Sequence, residues 1–134
     1  MANIFQVYSR GLIINSKHEV LLIKKRNDQK YAAGKWIYPG GTVEWGEESF
    51  ETLKRELKEE VNAQTDHFEL IGTRVIITGD IHWQGIYYKA TVSNIDQLIN
   101  CEPHKHEMIA WFDRNHLPED MDEIDRFHLS CALK

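Results

Sequence analysis

The stretch Gly41–Ala63, "GTVEWGEESFETLKRELKEEVNA", decides the fold. Around a helix that advances about 100° per residue, Phe50, Leu53, Leu57 and Val61 make one apolar seam for a core. Glu56, Glu59 and Glu60 fall in a separate sector beside that seam. Glu47 and Glu48 occupy the first turn, where the positive end of the helix dipole favours them. Asn62 follows, and Asn is second only to Gly for the left-handed residue that ends a helix. Like charges three and four residues apart cost a few tenths of a kcal/mol per pair, and a helix selected only for solubility would interleave lysine among them. Glu59 reaches Arg55 one turn back, and Glu51 serves Arg55 or Lys54, but Glu56 and Glu60 have no local cation.

A divalent metal would relieve that repulsion, because hard cations such as Mg²⁺ prefer carboxylate oxygens and bridge them to substrate phosphates. Pro39-Gly40-Gly41, just ahead of the helix, breaks the preceding strand and leaves the backbone free to approach a ligand. It is a candidate source of a carbonyl for the same metal.

Outward from this core, "IFQVYSRGLIIN" and "VLLIKK" read as strands around the turn "NSKHE". "RNDQKYAAGK" reads as a loop and "WIY" as a short strand. "FELIGTRVIIT" and "IHWQGIYYKATV" read as paired strands around "TGD". "NIDQLINCEPHKHE" is a loop with a helical turn, and "MIAWF" a last strand. From Pro118 to Leu133 the spacing of Met121, Ile124, His128 and Cys131 suits a closing helix. Strands around one strong internal helix, with another at the end, give an α/β layered domain.

The chain has 134 residues, which suits a single domain over 1–134. Its net charge of −5 leaves no basic face for a nucleic-acid polymer. A free nucleotide is compatible with that charge, since a metal ion can mediate its contact with an acidic site. Two cysteines, Cys101 and Cys131, form no CxxC and are too few for a disulfide scaffold. They read as free thiols of a reducing cytoplasm. The first residues lack a basic region followed by an apolar one, and no apolar run approaches the ~18 residues of a membrane span.

Together these residues resemble the Nudix box, the signature of the MutT-like Nudix hydrolases. The family pattern is Gly, five residues, Glu, seven residues, then R-E-U-x-E-E-x-G-U, with U a bulky aliphatic. Here Gly41 and Glu47 open the pattern, and Arg55, Glu56, Leu57, Lys58, Glu59, Glu60, Val61, Asn62 and Ala63 close it. All charged positions match; Asn62 replaces the last glycine and Ala63 the last aliphatic. "GKWIYPGGTVEWGE" looks like the usual approach to the box, and "HEMIAWF" followed by "LPEDM" resembles the late strand and loop of members that act on nucleoside triphosphates.

The resemblance implies the Nudix fold, a mixed β-sheet sandwiched between α-helices with the box as loop-helix-loop. It implies a Mg²⁺-dependent enzyme, with Mn²⁺ as an alternative, that hydrolyses a nucleoside diphosphate linked to X. The expected substrate is a nucleoside triphosphate, oxidised ones included, yielding nucleoside monophosphate and pyrophosphate. ADP-ribose, another nucleotide sugar or a dinucleotide is the alternative, and so is a non-catalytic nucleotide-binding domain. Glu56, Glu59 and Glu60 match the metal-binding glutamates, and Glu56 or a neighbour would orient or deprotonate the attacking water. Arg55 matches the arginine that orients box carboxylates, with Glu47 as its partner, and Gly41 the backbone metal ligand beside Gly40. A further carboxylate from a later loop falls on Glu107, with Glu102 as runner-up. Asp120, Asp122 or Glu123 could meet a base edge, and Arg74 or Lys105 a phosphate. Trp36, Tyr38, Trp83, Tyr87 and Tyr88 supply either a stacking surface or core. His104 and His106 lack the further ligands of a zinc site. The family leaves a homodimer open.

Overall fold

The structure, a computed structural model, describes residues 3–132, with the side chains of 128–132 left undescribed. In chain order the elements are β1 (Ile4–Leu12), β2 (Glu19–Lys25), β3 (Trp36–Ile37), β4 (Gly40–Thr42), α1 (Ser49–Val61), β5 (Thr65–Thr78), β6 (Ile81–Val92), β7 (His106–Asp113) and α2 (Glu123–Ala132), with a 3-10 turn at Ile95–Gln97. One sheet runs β4-β1-β6-β5 and the other β3-β2-β7. The first is mixed because β1 pairs with β6 in parallel and with β4 antiparallel.

β2 explains how the layers close. Val20, Leu21, Leu22 and Ile23 are all fully buried, which requires cover on both faces of the strand. Leu21 and Ile23 join Leu53, Leu57 and Val61 of α1 in one cluster. Val20 and Leu22 point the other way, into a cluster with Tyr8, Trp36, Tyr87 and Met121 against which Ile124 of α2 packs. The sheets are thus sandwiched between the two helices.

α1 begins with the Glu48 N–H donating to the Glu51 carboxylate at 3.0 Å. It ends at Asn62, left-handed with φ 62° and ψ 31°. The Asn62 N–H donates to the Lys58 carbonyl and the Ala63 N–H to that of Leu57, satisfying carbonyls the helix leaves open. The apolar seam differs from the expected one at Phe50, which is 46% exposed and meets only the edge of the core, its ring 6.5 Å from that of Phe68. Thr52 and Glu60 are buried instead. The buried face is rotated toward the acidic sector because both side chains have polar partners there.

Two further differences concern strand ends. β3 stops at Ile37, short of Tyr38 and Pro39, and Gly40 and Gly41 enter β4 and lie opposite Arg10 and Ser9 of β1. At Gly40, with φ 153°, a Cβ would sit 1.9 Å from the Ser9 carbonyl oxygen, so only glycine fits. The closing helix starts at Glu123 rather than Pro118 because the chain before it is tied to β3. Trp36 N–H donates to the Asp120 carbonyl and Asp122 N–H to that of Trp36. Met121 and Ile124 pack as the spacing indicates, while the His128 and Cys131 side chains lie outside the described residues.

Replacing Asn62 by Ala should cost about 1 kcal/mol in urea unfolding, the usual cost of a left-handed alanine, while Asn62→Gly should stay within a few tenths or stabilise.

Candidate active site

Glu60 is the centre of the site. Only 5% exposed, it is the penultimate residue of α1 and accepts the Gly40 N–H at 2.8 Å. Its other oxygen lies 3.4 Å from Nε2 of His106, itself buried at the start of β7. Burial above all, and then the Glu56 charge, push the Glu60 carboxyl up to about 8. Burial likewise lowers His106 to about 4, with Lys25 and Lys105 adding to the effect. Burial thus favours the neutral form of both partners. The imidazole Nδ1 has no hydrogen-bond partner.

Gly41 abuts the next carboxylate: a Cβ there would lie 2.4 Å from Cδ of Glu56. Glu56 is raised by burial and held down in part by Arg55. The expectation that Glu56 lacks a local cation is corrected here, since Arg55 donates to it at 2.9 Å. Adjacent helix positions do not face each other, but the long Arg55 side chain turns across the helix. Its fork meets both oxygens of Glu47 at 3.0 and 3.1 Å and lies 3.5 Å from Glu59 and 3.7 Å from Glu44. Arg55, the Glu44 N–H and the Thr52 hydroxyl together hold Glu47 down at about 2. Glu59 is half exposed at the outer side of this group.

A carboxylate of the loop before β7 approaches Glu60. Ligand atoms of Glu60, Glu102 and His106 lie within 4.8 Å of one another. The Glu102 loop is fixed by Cys101 N–H donating to the Glu60 carbonyl and His106 N–H to that of Glu102. Glu107 lies outside this group, exposed, because side chains alternate along β7 and His106 takes the inward place. Hard oxygen donors from Glu56, Glu60 and Glu102, beside two glycines whose missing Cβ atoms leave room, fit a divalent cation.

On the other side of Gly40 and Gly41 opens a cavity of about 330 Å³, within the range of small-molecule sites. Tyr8, Arg10, Lys25, Trp83, Asp122 and Asp125 line much of it. Asp125 is buried at the first turn of α2, where it accepts the Tyr38 N–H at 2.9 Å and the Tyr87 hydroxyl at 3.1 Å. Burial raises it to about 6. The Tyr87 and Tyr8 hydroxyls are 2.8 Å apart, extending the polar chain.

Of the residues singled out for substrate, Asp122, Trp83 and Tyr87 line the cavity. Asp120 turns away to Lys24 at 3.5 Å, Lys105 pairs with Glu102 at 3.5 Å, and Arg74 lies over the Phe127 ring. Trp36 and Tyr38 belong to the core, and Tyr88 meets Ser49 on the far side of α1. Arg10, Lys25, Asp125 and Tyr8 were not singled out. Their only signal is a charge at the end of a buried apolar strand, as in "VYSRGLI" and "LLIKK", or one acid among many in "PEDMDEID".

A family model described as NUDIX domain matches residues 5–132. The 8-oxo-dGTP diphosphatase of Escherichia coli (strain K12) is 37% identical over 60 residues, 45% of this chain and 46% of that protein. A putative nudix hydrolase 1 of Caenorhabditis elegans is 34% identical over 95 residues, 70% of this chain and 24% of that protein. The chain spans less than half the length of the curated relatives it matches. Among solved structures, a MutT NUDIX hydrolase from Burkholderia pseudomallei superposes with a TM-score of 0.84 at 28% identity, covering 94% of this chain and 96% of that one.

Glu60 and Asp125 are both raised on folding, so the stability they contribute is complete below about pH 4 and is lost as pH rises through about 6 and then 8. Metal-free protein should melt progressively lower between pH 5 and pH 8. In Glu60→Gln the fall above pH 6 should flatten, and added Mn²⁺ or Mg²⁺ should no longer raise the melting temperature.

Proposed function

The chain belongs to the NUDIX domain family, and from that premise we propose that it is a metal-dependent pyrophosphohydrolase. The substrate we infer is a nucleoside triphosphate, ordinary or oxidised, cleaved to the monophosphate and pyrophosphate. One observation carries this reading: Gly40 and Gly41, which abut the Glu60 and Glu56 carboxylates, also line a nucleotide-sized cavity, and Glu60 is grouped with Glu102 and His106. A diphosphate spanning that boundary would have its phosphorus beside the carboxylates and its nucleoside in the cavity.

Mg²⁺ or Mn²⁺, when bound, would neutralise the diphosphate and lower the pKa of a water nucleophile. Glu60, Glu56 and Glu102 would hold the cation with the Gly41 backbone, and Glu59 would complete the negative face from its outer side. Arg55 fixes Glu56 from one side and is itself clamped by Glu47, so the carboxylate is held before substrate arrives. Glu56, lifted by burial, or a neighbouring carboxylate would take the proton of the attacking water. At the far end Asp122 and Asp125 offer acceptors to the amino and imino edges of a base, and Trp83 a ring face.

The relative that acts on 8-oxo-dGTP supports a triphosphate. An exposed free Cys101 fits the reducing cytoplasm we assign to it. Among the described residues no helix is long and apolar enough to cross a membrane.

Purified protein with Mg²⁺ should release monophosphate from at least one of a panel of nucleoside triphosphates, their 8-oxo forms, ADP-ribose and dinucleoside polyphosphates. Glu59→Gln and Glu56→Gln should each lower kcat by on the order of 10²-fold or more. Nucleotide binding with no turnover across the panel would instead favour a non-catalytic binding domain.

A further inference from the structure

We propose that Arg10 is a substrate-binding residue whose guanidinium grips the phosphoryl oxygens of the nucleotide, between the Glu60 carboxylate group and the Asp125 end of the cavity. The identity of the anion rests on the hydrolase reading above; the existence of an anion site does not.

Arg10 lies on β1 directly opposite Gly40, the residue whose N–H holds Glu60. Its side chain lines the cavity and is partly exposed within it. The guanidinium carbon sits 5.1 Å from the centre of the Tyr8 ring. That platform is fixed on two sides. The Tyr8 hydroxyl is bonded to Tyr87, which donates to buried Asp125. The ring also fills the space over Gly85, where a Cβ would lie 2.3 Å from the tyrosine oxygen. Arg10 is therefore held in one place by stacking while its N–H groups remain available.

Those groups are unspent. Among the described residues no carboxylate oxygen lies within 4.0 Å of the guanidinium, and the side chain makes no hydrogen bond. The other cations around the site contrast with it. Arg55 is divided among four glutamates, Lys24 is on Asp120, Lys105 on Glu102, and Arg26 on the Pro103 carbonyl. Lys25, the other cation that lines this cavity, shares the condition of Arg10. A guanidinium carries five donors and no acceptor, and losing water without gaining partners is costly. Asp125 and Glu60 favour its charge from a distance without consuming its donors. An anion that offers two oxygens to two parallel N–H groups satisfies the fork, as each phosphoryl group of a diphosphate does. Lys25 would add a point charge beside it.

A grip on phosphate reads no base. Loss of Arg10 should therefore weaken every nucleotide alike. The experiment pairs calorimetric titration of Mg²⁺-loaded protein with inorganic tripolyphosphate and steady-state kinetics on several nucleotides, for wild type, Arg10→Gln and Arg10→Lys. Arg10→Gln should weaken tripolyphosphate by about tenfold to a hundredfold, the scale of a lost charged hydrogen bond. KM should rise comparably whatever the base, with kcat changed less than about threefold, and Arg10→Lys should recover part of the loss. A natively melting Arg10→Gln whose tripolyphosphate affinity and KM stay within about twofold of wild type would overturn the proposal. So would a loss confined to particular bases. If Arg10→Gln does not fold, Arg10→Lys decides: unchanged affinity and KM would rule out the planar grip. Wild type that binds tripolyphosphate through Arg10 yet turns over no nucleotide would sink the hydrolase reading and leave this one standing.

Discussion

A carboxylate buried against a backbone N–H is the constraint on which the rest of the molecule depends. Glu60 sits in the packed face of α1, beside Leu53 and Leu57, where a charge is expensive. The Gly40 N–H satisfies one oxygen and His106 faces the other. For that N–H to arrive, β4 must lie so close to β1 that no side chain fits at Gly40. The pairing of β4 with β1 and the docking of α1 against it are thus parts of one arrangement. A protein built for stability alone would place leucine at Glu60. An acidic group kept in an apolar environment, with its protonation pushed into the physiological range, is the pattern of a functional site.

Around that buried group the charges are sorted by reach. Arg55 gathers the outer glutamates into one fan and does not reach the inner ones, Glu60 and Glu102. Burial and repulsion from Glu56 and Glu102 raise Glu60, and Arg10 offsets part of that from a distance. On the cavity side the sign alternates: Asp122 and Asp125 at one end, Arg10 and Lys25 in the middle, glutamates beyond the glycines. A ligand with an amine-bearing end, an anionic middle and a bound cation matches that order.

Much of the fold is legible in the residues. The hairpin of "FELIGTRVIIT" and "IHWQGIYYKATV" is found with its turn at Gly79 and Asp80, because strong β-branched runs around a glycine leave little choice. The left-handed end at Asn62 follows from the chemistry of that residue. The start of α2 was not legible. The bonds that hold 120–122 extended go to Trp36, more than eighty residues earlier, and no local pattern carries them. The same is true of the short β4, whose pairing is set by β1 rather than by its own composition.

The site divides in the same way. By itself the sequence determined the helix, its acidic sector and the glycines ahead of it, because local geometry places residues of one segment, while the Arg55–Glu47 pair was implied by the resemblance to the Nudix box. Only the tertiary structure groups Glu102, and not Glu107, with Glu60 and His106, since that grouping depends on which side chain of β7 faces inward. It also decided that Arg10, Lys25 and Asp125 line the cavity while Arg74, Lys105 and Asp120 do not. A charged side chain declares its role through what stands opposite it, and what stands opposite is set by strand register and sheet order, which bring together residues distant in the chain.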